Sequence, residues 1–339
     1  MGGNVNLRRV AVIDCGTNTF NLRIVDIVEP SISPNNLAPR PWKNIFSLRI
    51  PVKLGKGGIG KNIIRPDRIA RGLDALGVMK EAIHNYDVIE VYVIATSALR
   101  DASNSSVFVD RTLALYGYNV IIISGAAEAE LIQTGLALTF TPQSGECVLT
   151  MDIGGGSTEC ILWNNDKMLW SRSFDVGVAR LGELFKMSDR FGADKDEAYN
   201  KMLPYLNDVL APLKTALDNL QPTILVGSSG SFDTFYSVLN PNIQSVSSKG
   251  EYPRAIEIDI DAFEKLSAEF MHNTLKERLS MNGMPPDRAA FMPYASALVR
   301  WVMSSSKFQK FYRSKYALRE GVLNRLAKYK SPVPGVNLH

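Results

Sequence analysis

VLTMDIGGGSTECIL, residues 148–162, consists of two short apolar runs joined by a glycine-rich segment. The first run leads to Asp152, and three glycines with Ser157 and Thr158 precede the second run. Short apolar runs with glycines between them predict two β-strands joined by a tight turn. Glycines leave backbone N–H groups uncovered, so an anionic oxygen can approach them, while Asp152 at the strand end can hold a divalent cation. The stretch therefore predicts a phosphate-binding turn, although a hairpin turn without a ligand has a similar composition.

The same pattern occurs a second time near the N-terminus. Residues 10–25, VAVIDCGTNTFNLRIV, contain an apolar run, Asp14, several small and hydroxyl-bearing residues, and another apolar run. Asp14 and Asp152 are 138 residues apart. Recurrence of one supersecondary pattern indicates an internal duplication. We therefore expect two related α/β domains whose loops at Asp14 and Asp152 face each other over a phosphate.

The composition is typical of a soluble globular protein with room for two domains. The chain has 339 residues, of which 45% are hydrophobic, and a formal net charge of +4. It contains no apolar stretch of transmembrane length and no secretory core at its start, which predicts a cytoplasmic protein without membrane partners. The mild charge lacks the basic stripe that is typical of nucleic-acid binding. The three cysteines and three histidines have neither disulfide-framework nor zinc-ligand spacing, so we expect buried thiols.

Hydrophobic periodicity predicts strands and helices in alternation, as in an α/β fold. The predicted strands after the first loop are 45–52, 88–95, 119–123, 169–176, 223–226 and 308–316. The predicted helices are 66–85, 107–116, one beginning at Ser124, 177–186, 194–220 with a new helix starting at Pro204, 232–238, 261–279, 284–303 and 318–326.

Three further segments are candidates for phosphate contacts. Gly227-Ser228-Ser229-Gly230-Ser231 lies between a predicted strand and a predicted helix, a frequent cradle for nucleotides and polyanions. Lys53 begins a basic, glycine-rich stretch that is either a solvated turn or a flap over phosphates. Arg100 follows the strand 88–95 at the end where open α/β sheets hold ligands, and it is either a phosphate ligand or a surface ion-pair residue.

Glu128 and Glu130 lie in the first turn of the helix that Ser124 is expected to cap. Carboxylates in a first turn ordinarily complement the helix dipole. Their position shortly before the Asp152 loop suggests a second role, since a carboxylate at a hinge between domains could reach a terminal phosphate and orient a water molecule.

These motifs together resemble the exopolyphosphatase and guanosine pentaphosphate phosphohydrolase family (Ppx/GppA) of the actin-like phosphotransferase superfamily. The segments that carry the resemblance occur in order along nearly the whole chain: 14–20, 96–100, 123–132, 152–159, 227–231 and 318–322. The resemblance implies an α/β protein with two ribonuclease-H-like domains and an interdomain cleft. Domain I would comprise 1–124 plus about 315–330, domain II 125–314, and 331–339 a frayed tail.

The resemblance also implies roles for individual residues. Glu128 would be the catalytic base and Glu159 a second functional acid, and Mg²⁺ or another divalent cation would lie at Asp14, Asp152 and Glu159. The substrate phosphates would contact Gly16, Thr17, Asn18, Thr19, Asn21, Lys53, Arg100, Gly154, Gly155, Gly156, Ser157, Thr158, Gly227, Ser228, Ser229 and Gly230.

The implied activity is removal of the terminal phosphate from polyphosphate or a guanosine pentaphosphate. Three positions depart from the family pattern: Ala127 replaces an acid, Glu130 replaces an arginine, and Asn21 stands where relatives often carry histidine or arginine. The chain also ends without the additional helical domains of longer members, which suggests less processive action on long polyphosphate. A phosphate-ligand sensor with little turnover and an actin-superfamily small-molecule kinase stay open as alternatives, and so does a homodimer.

Overall fold

The structure is a computed structural model that describes residues 7–28, 41–165, 167–186, 193–242 and 254–334. The described residues form two compact units. The first contains 7–28, 41–135 and 318–334, and the second contains 136–165, 167–186, 193–242 and 254–317. Each unit has its own hydrophobic core. The helix that follows Ser124, assigned to domain II from the sequence, packs with the first unit.

The first unit is a five-stranded sheet with helices. Its elements are β1 (Leu7–Cys15), β2 (Thr19–Val28), β3 (Trp42–Pro51), α1 (Pro66–Asn85), β4 (Glu90–Ala95), α2 (Ser97–Asp101), α3 (Ser105–Tyr116), β5 (Val120–Ile122), α4 (Gly125–Leu136) and, from the end of the chain, α12 (Leu318–Tyr329). The strand order is β3-β2-β1-β4-β5, with β4 and β5 parallel to β1 and the first three strands antiparallel.

The second unit contains a six-stranded sheet. Its elements are β6 (Val148–Ile153), β7 (Thr158–Trp163), β8 (Met168–Phe174), α5 (Val178–Phe185), α6 (Ala193–Val209), α7 (Ala211–Leu220), β9 (Ile224–Ser228), α8 (Ser229–Leu239), β10 (Ile256–Glu257), α9 (Ile260–His272), α10 (Leu275–Ser280), α11 (Met292–Ser305) and β11 (Lys310–Arg313). The strand order is β10-β11-β9-β6-β7-β8, and β9 and β11 run parallel to their neighbours on the β6 side.

The two sheets share one topology. In both, an antiparallel hairpin of two strands is flanked on one side by a third antiparallel strand and on the other by two parallel strands. The duplication and the α/β class predicted from the two aspartate loops are therefore confirmed. The turns at Asp14 and Asp152 occupy the same place in their sheets, because each connects the first strand to the second.

Several element limits differ from the sequence prediction for identifiable reasons. Pro204 lies inside α6, and the break comes at Leu210, after which α7 begins with a proline in its first turn. The single helix predicted over 261–279 is wrong, because Thr274 starts a new helix with a reciprocal capping box to Glu277. The helix predicted from 284 begins only at Met292, after a series of turns.

The last helix packs closely on α4 within the first unit. A Cβ atom at Gly321 would lie 1.9 Å from the carbonyl oxygen of Leu131, so only glycine permits this approach. After α12, Pro332 and Val333 are buried, in contrast to the frayed tail predicted from 331, and 335–339 lie outside the described residues. Among the described helices, none combines the length and hydropathy that crossing a membrane requires.

Candidate active site

The glycine-rich turn of the second unit is tied down by the helix that follows β8. The backbone N–H groups of Val178 and Ala179 donate to the carbonyls of Gly154 and Gly155, at 3.0 and 2.8 Å. The Gly177 N–H donates to the Gly156 carbonyl at 3.2 Å. Three consecutive carbonyls of the turn therefore face α5 and its N-terminal cap.

This anchoring decides where the turn's N–H groups point. In a planar trans peptide the carbonyl of one residue and the N–H of the next point in opposite directions. With the carbonyls of 154, 155 and 156 directed to α5, the N–H groups of Gly155, Gly156 and Ser157 point away from it. None of these three N–H groups has a hydrogen-bond acceptor within the described residues. Successive unpaired N–H groups of this kind form an anion-binding concavity.

The hydroxyls of this turn are engaged inside the unit. Ser157 Oγ donates to Glu159 Oε1 at 2.7 Å, and Thr158 Oγ1 donates to the Val176 carbonyl at 3.3 Å. Thr158 is fully buried and Ser157 nearly so. The backbone donors, rather than these hydroxyls, are therefore the groups that the turn offers to an anion.

A row of polar side chains crosses four strands of the second sheet beside the turn. Ser228, Asp152, Glu159 and Ser173 occupy directly neighbouring positions on β9, β6, β7 and β8. Ser228 Oγ donates to Asp152 Oδ2 at 2.8 Å, and Ser173 Oγ donates to Glu159 Oε1 at 2.7 Å. All but Ser173 are buried, so hydroxyl donors orient two carboxylates at an edge that offers little water.

The third small-residue loop, 227–231, makes packing contacts within the second unit and one hydrogen bond to an aspartate of the polar row. A Cβ atom at Gly227 would overlap the Phe232 ring at 1.9 Å, so this glycine is required by the core. Gly230 lies against the guanidinium of Arg288, where a Cβ atom would come within 2.2 Å. Ser229 has a positive φ of 70° and donates its hydroxyl to the Ile153 carbonyl at 2.9 Å. Only Ser228 of this loop hydrogen-bonds to a predicted metal ligand.

The turn of the first unit follows the same plan with fewer anchors. Gly16 N–H donates to the Thr19 carbonyl at 3.2 Å, as Gly154 does to Ser157 at 3.0 Å. The carbonyls of Thr17 and Asn18 accept from the N–H groups of Gly55 and Lys53. Lys53 has a positive φ of 55°. Its backbone thus fixes the turn, while contact of its side chain with phosphate stays a prediction.

Three parallel strands of the first sheet bring the remaining candidates to one edge. β1, β4 and β5 are adjacent and parallel, so their carboxyl ends lead into the Asp14 turn, α2 and α4 at the same edge. Thr17 Oγ1 and Ser97 Oγ are 3.0 Å apart, and Asn21 Nδ2 donates to Asp14 Oδ2 at 3.3 Å. The two hydroxyls and the amide therefore link the turn to its surroundings.

Glu128 lies in the first turn of α4, is 6% exposed, and accepts a hydrogen bond from Arg100 Nη1 at 2.7 Å. Arg100 also reaches the Ile123 carbonyl and lies 3.6 Å from Asp101. Ser124 caps α4 as predicted, through its Oγ and the Ala127 N–H. Arg100 thus forms an ion pair with the predicted base, while its contact with a phosphate stays a prediction. Glu130, two residues further on, is exposed and lies 3.6 Å from Arg325.

The cysteines next to the site acids are sealed from solvent. Cys15 follows Asp14 and Cys160 follows Glu159, and both are fully buried. Burial raises the pKa of each thiol well above its usual value, and the neighbouring carboxylate raises it further. Neither can act as a thiolate nucleophile at neutral pH. The prediction of buried thiols is confirmed for these two, and Cys147 is half-buried.

Within the described residues, no group of three or more His, Cys, Asp and Glu side chains is placed to hold a metal ion. Asp152 and Glu159 nevertheless are directly opposite each other on paired strands, so their side chains share one face. Mg²⁺ commonly binds through one or two carboxylates and completes its shell with water and substrate phosphates. The oxygen donors present therefore fit such a cation, but not a site built entirely from protein ligands.

Sequence reasoning missed three residues that the structure connects to these groups. Ser173 donates to Glu159, Gly177 lies against the turn at 154–157, and Arg180 donates from Nε to the Gly156 carbonyl at 3.0 Å. Ser173 and Arg180 lie in ordinary strand and helix sequence and carry no local signal. Gly177, a glycine at the first position of the predicted helix 177–186, was the one visible hint. Whether the turns at Asp14 and Asp152 face each other stays a prediction.

Comparison with protein families and known proteins identifies relatives of the whole chain. The model of the Ppx/GppA phosphatase family matches residues 37–330. A Haemophilus influenzae protein provisionally named an exopolyphosphatase is 27% identical over 328 residues, covering 95% of this chain and 93% of its own. A guanosine-5'-triphosphate,3'-diphosphate pyrophosphatase of Aliivibrio fischeri is 25% identical over 92% of this chain, which spans 58% of that longer protein.

Solved structures agree with these matches. An exopolyphosphatase from Cytophaga hutchinsonii is 33% identical, with a TM-score of 0.83, and the alignment covers 95% of this chain and 98% of that one. The Aquifex aeolicus member of the Ppx/GppA family, at 22% identity, has a TM-score of 0.72 over 95% of this chain and 99% of its own, which supports the fold.

Proposed function

Because this chain belongs to the Ppx/GppA phosphatase family, we propose that it removes the terminal phosphate of inorganic polyphosphate or of a guanosine pentaphosphate by attack of water. The observation that carries the proposal is the geometry of the turn 154–157. The carbonyls of 154, 155 and 156 accept hydrogen bonds from the start of α5, so the N–H groups of 155, 156 and 157 point away from that helix. Preorganised donors of this kind bind phosphoryl oxygens and stabilise charge in the transition state.

Glu128 is the group that we assign as general base. Its carboxylate is buried, and Arg100 donates to one of its oxygens at 2.7 Å, which fixes the orientation of the side chain that accepts the proton from water. Water oxygen forms the new bond to the terminal phosphorus as the anhydride P–O bond breaks. The water proton passes to Glu128, and the electron pair of the broken bond stays on the shortened substrate, so the products are inorganic phosphate and a chain with one phosphate fewer.

The residues around Asp152 would hold a divalent cation together with the substrate. Asp152 and Glu159 supply carboxylate oxygens, and the hydroxyls of Ser228, Ser157 and Ser173 orient them. When bound, Mg²⁺ would offset the negative charge of the phosphate oxygens. In the first unit, Asp14 with its partner Asn21 is the corresponding candidate ligand.

A phosphate-release screen tests this function. The purified protein is given polyphosphates of defined length and guanosine pentaphosphate, with Mg²⁺ and with EDTA, and inorganic phosphate is measured. We expect release without any added acceptor, which a kinase would not give. Tight calorimetric binding without release would instead select the sensor alternative.

A pair of glutamates on α4 tests the base. Glu128→Gln should lower kcat by about 10²–10⁴-fold, because the proton acceptor is lost while the side-chain volume is kept. Glu130→Gln is the matched control, since Glu130 is on the same helix but exposed and paired with Arg325. Wild-type kcat in Glu128→Gln would refute the assignment.

A further inference from the structure

Arg180 is a buried arginine that hydrogen-bonds to the glycine-rich turn 154–157. It is 7% exposed and lies in the first turn of α5. Its Nε–H donates to the Gly156 carbonyl at 3.0 Å, and its Nη2 lies 3.6 Å from the exposed carboxylate of Asp175. A buried guanidinium that donates its Nε–H to one backbone carbonyl is a fixed, charge-assisted donor.

The Gly156 carbonyl belongs to the last peptide of the anchored series. It receives both the Gly177 N–H at 3.2 Å and Arg180 Nε. The N–H on the far side of that peptide belongs to Ser157, so the contact directs this N–H away from α5. A positive charge on the carbonyl side also polarises the peptide and strengthens its N–H as a donor.

The helix that carries Arg180 is itself fixed. Leu181, the next residue, is fully buried in the hydrophobic core of the second unit, and Gly182 approaches the Tyr294 ring of α11. Gly177 can approach the turn only because it has no side chain, since a Cβ atom there would lie 2.4 Å from the Gly155 carbonyl carbon. Movement of the turn would therefore have to break contacts to a rigid element.

From these contacts we infer that Arg180 is a positioning residue for phosphate binding: with the backbone at 177–180 it holds the peptides 154–157 so that three N–H groups face the substrate. The inference rests on the proposed function, because it assumes that the turn binds a phosphate. Arg180 acts through the Gly156 peptide and need not touch the substrate.

The test compares two buried arginines of the same unit. Arg180→Lys keeps a positive charge but loses the planar guanidinium. Arg278→Lys is the control, because Arg278 is fully buried and donates to the carbonyls of Phe270, Asn273 and Ala289 but does not bond to the turn. The probe is inorganic tripolyphosphate with Mg²⁺. Its Kd is measured by calorimetry with each arginine variant combined with Glu128→Gln, so that the probe is not hydrolysed. The kcat and KM are measured with the same arginine variants in the parent protein, which keeps Glu128.

We expect Arg180→Lys to raise the tripolyphosphate Kd by about tenfold and to lower kcat/KM by about 10²-fold, the size seen when one preorganised donor is lost. Arg278→Lys should lower the melting temperature while leaving Kd and kcat/KM of the folded protein unchanged. In Arg180→Ala, added guanidinium ion should restore part of kcat/KM, an effect that loss of stability alone cannot produce.

A folded Arg180→Lys variant with the parent's Kd and kcat/KM would overturn the inference, as would equal losses of affinity in the two lysine variants. If Arg180→Ala does not fold, Arg180→Lys alone decides. A parent that binds tripolyphosphate without releasing phosphate would refute the hydrolase function while the Kd comparison still tests Arg180. A parent that does not bind tripolyphosphate would refute the inference itself.

Discussion

The two aspartate turns share one backbone design but differ in how they are held and in the side chains beside them. Asp14 lies opposite Asn21 and Asp152 lies opposite Glu159, at the same place in each hairpin. The first turn is held by two backbone donors of the irregular segment 53–55, the second by α5 and a buried arginine. The two copies thus share the backbone turn, while the second has the more rigid support and a second carboxylate.

This difference predicts that the two turns contribute unequally to phosphate binding. The second turn has three N–H groups directed by anchored peptides, and the row beside it carries two carboxylates that accept from two hydroxyls of the row and from Ser157 of the turn. The first turn has one carboxylate beside a neutral amide, and its unit contributes the Glu128–Arg100 pair. We therefore expect phosphate binding to depend more strongly on the second turn.

The largest expected difference comes from placing a methyl group under each turn. In Gly177→Ala the new Cβ would meet backbone atoms of Gly155 and Gly156 at 2.4–2.5 Å, so the turn must move and kcat/KM should fall by at least about 10²-fold. In Gly55→Ala the nearest atom is Thr17 Cγ2 at 2.7 Å, a side chain that can rotate, and a loss of about tenfold or less is expected. Phosphate-release kinetics measure both, and equal losses would contradict the comparison.

The next effect separates the two residues opposite the aspartates. Glu159→Gln removes a charged acceptor of two hydroxyls, and kcat/KM should fall by about 10- to 100-fold. Asn21→Ala removes one neutral hydrogen bond of 3.3 Å, and a change of less than about tenfold is expected. Kinetics at several Mg²⁺ concentrations should show a raised Mg²⁺ requirement in Glu159→Gln. If Asn21→Ala were the more damaged variant, the first turn would be the more important one.

A smaller effect concerns the hydroxyls that orient Glu159. Ser157→Ala and Ser173→Ala each remove one donor to the same oxygen, and each should lower kcat by about three- to tenfold. Because both donate to Oε1, the double variant should deviate from the sum of the single changes in activation free energy. Strict additivity in this double-mutant cycle would show that the two hydroxyls do not act through Glu159.

The smallest effect is expected for the thiols. Cys15 and Cys160 follow a site acid in each hairpin, and burial raises the pKa of both, so the reactive thiolate is absent near pH 8 in the folded protein. Iodoacetamide should modify half-buried Cys147 first, with little loss of activity, and the other two only after unfolding. Peptide mass spectrometry reads this out, and rapid labelling of Cys160 alone would show that the second hairpin opens more readily than the first.

Much of the architecture was predictable because its signals are local. Pro66 at the start of a periodic apolar face defined α1 to the residue, and the repeated aspartate turns indicated the duplicated sheets. Helix limits failed where a side chain competes with the periodicity, as Thr274 does through its capping box with Glu277. The helix start predicted at Pro204 was also wrong, because α6 continues through this proline and the helix breaks only at Leu210.

The candidate site likewise contains features that local sequence predicts and features that depend on contacts between distant segments. Residue type and spacing along the chain were enough to single out Asp14 and Asp152 and to predict a glycine turn that could admit a phosphate, because strand ends and turns are specified by neighbouring residues. The resemblance to a family was needed to choose Glu128 over Glu130 as the base. The direction of the N–H groups at 155–157, the donors to Glu159 and the partner of Glu128 depend on Arg180, Ser173 and Arg100, which reach the site from other strands and helices. Only folding brings these segments within hydrogen-bond distance, and a hydrogen bond between residues distant in sequence leaves no periodic trace in the chain.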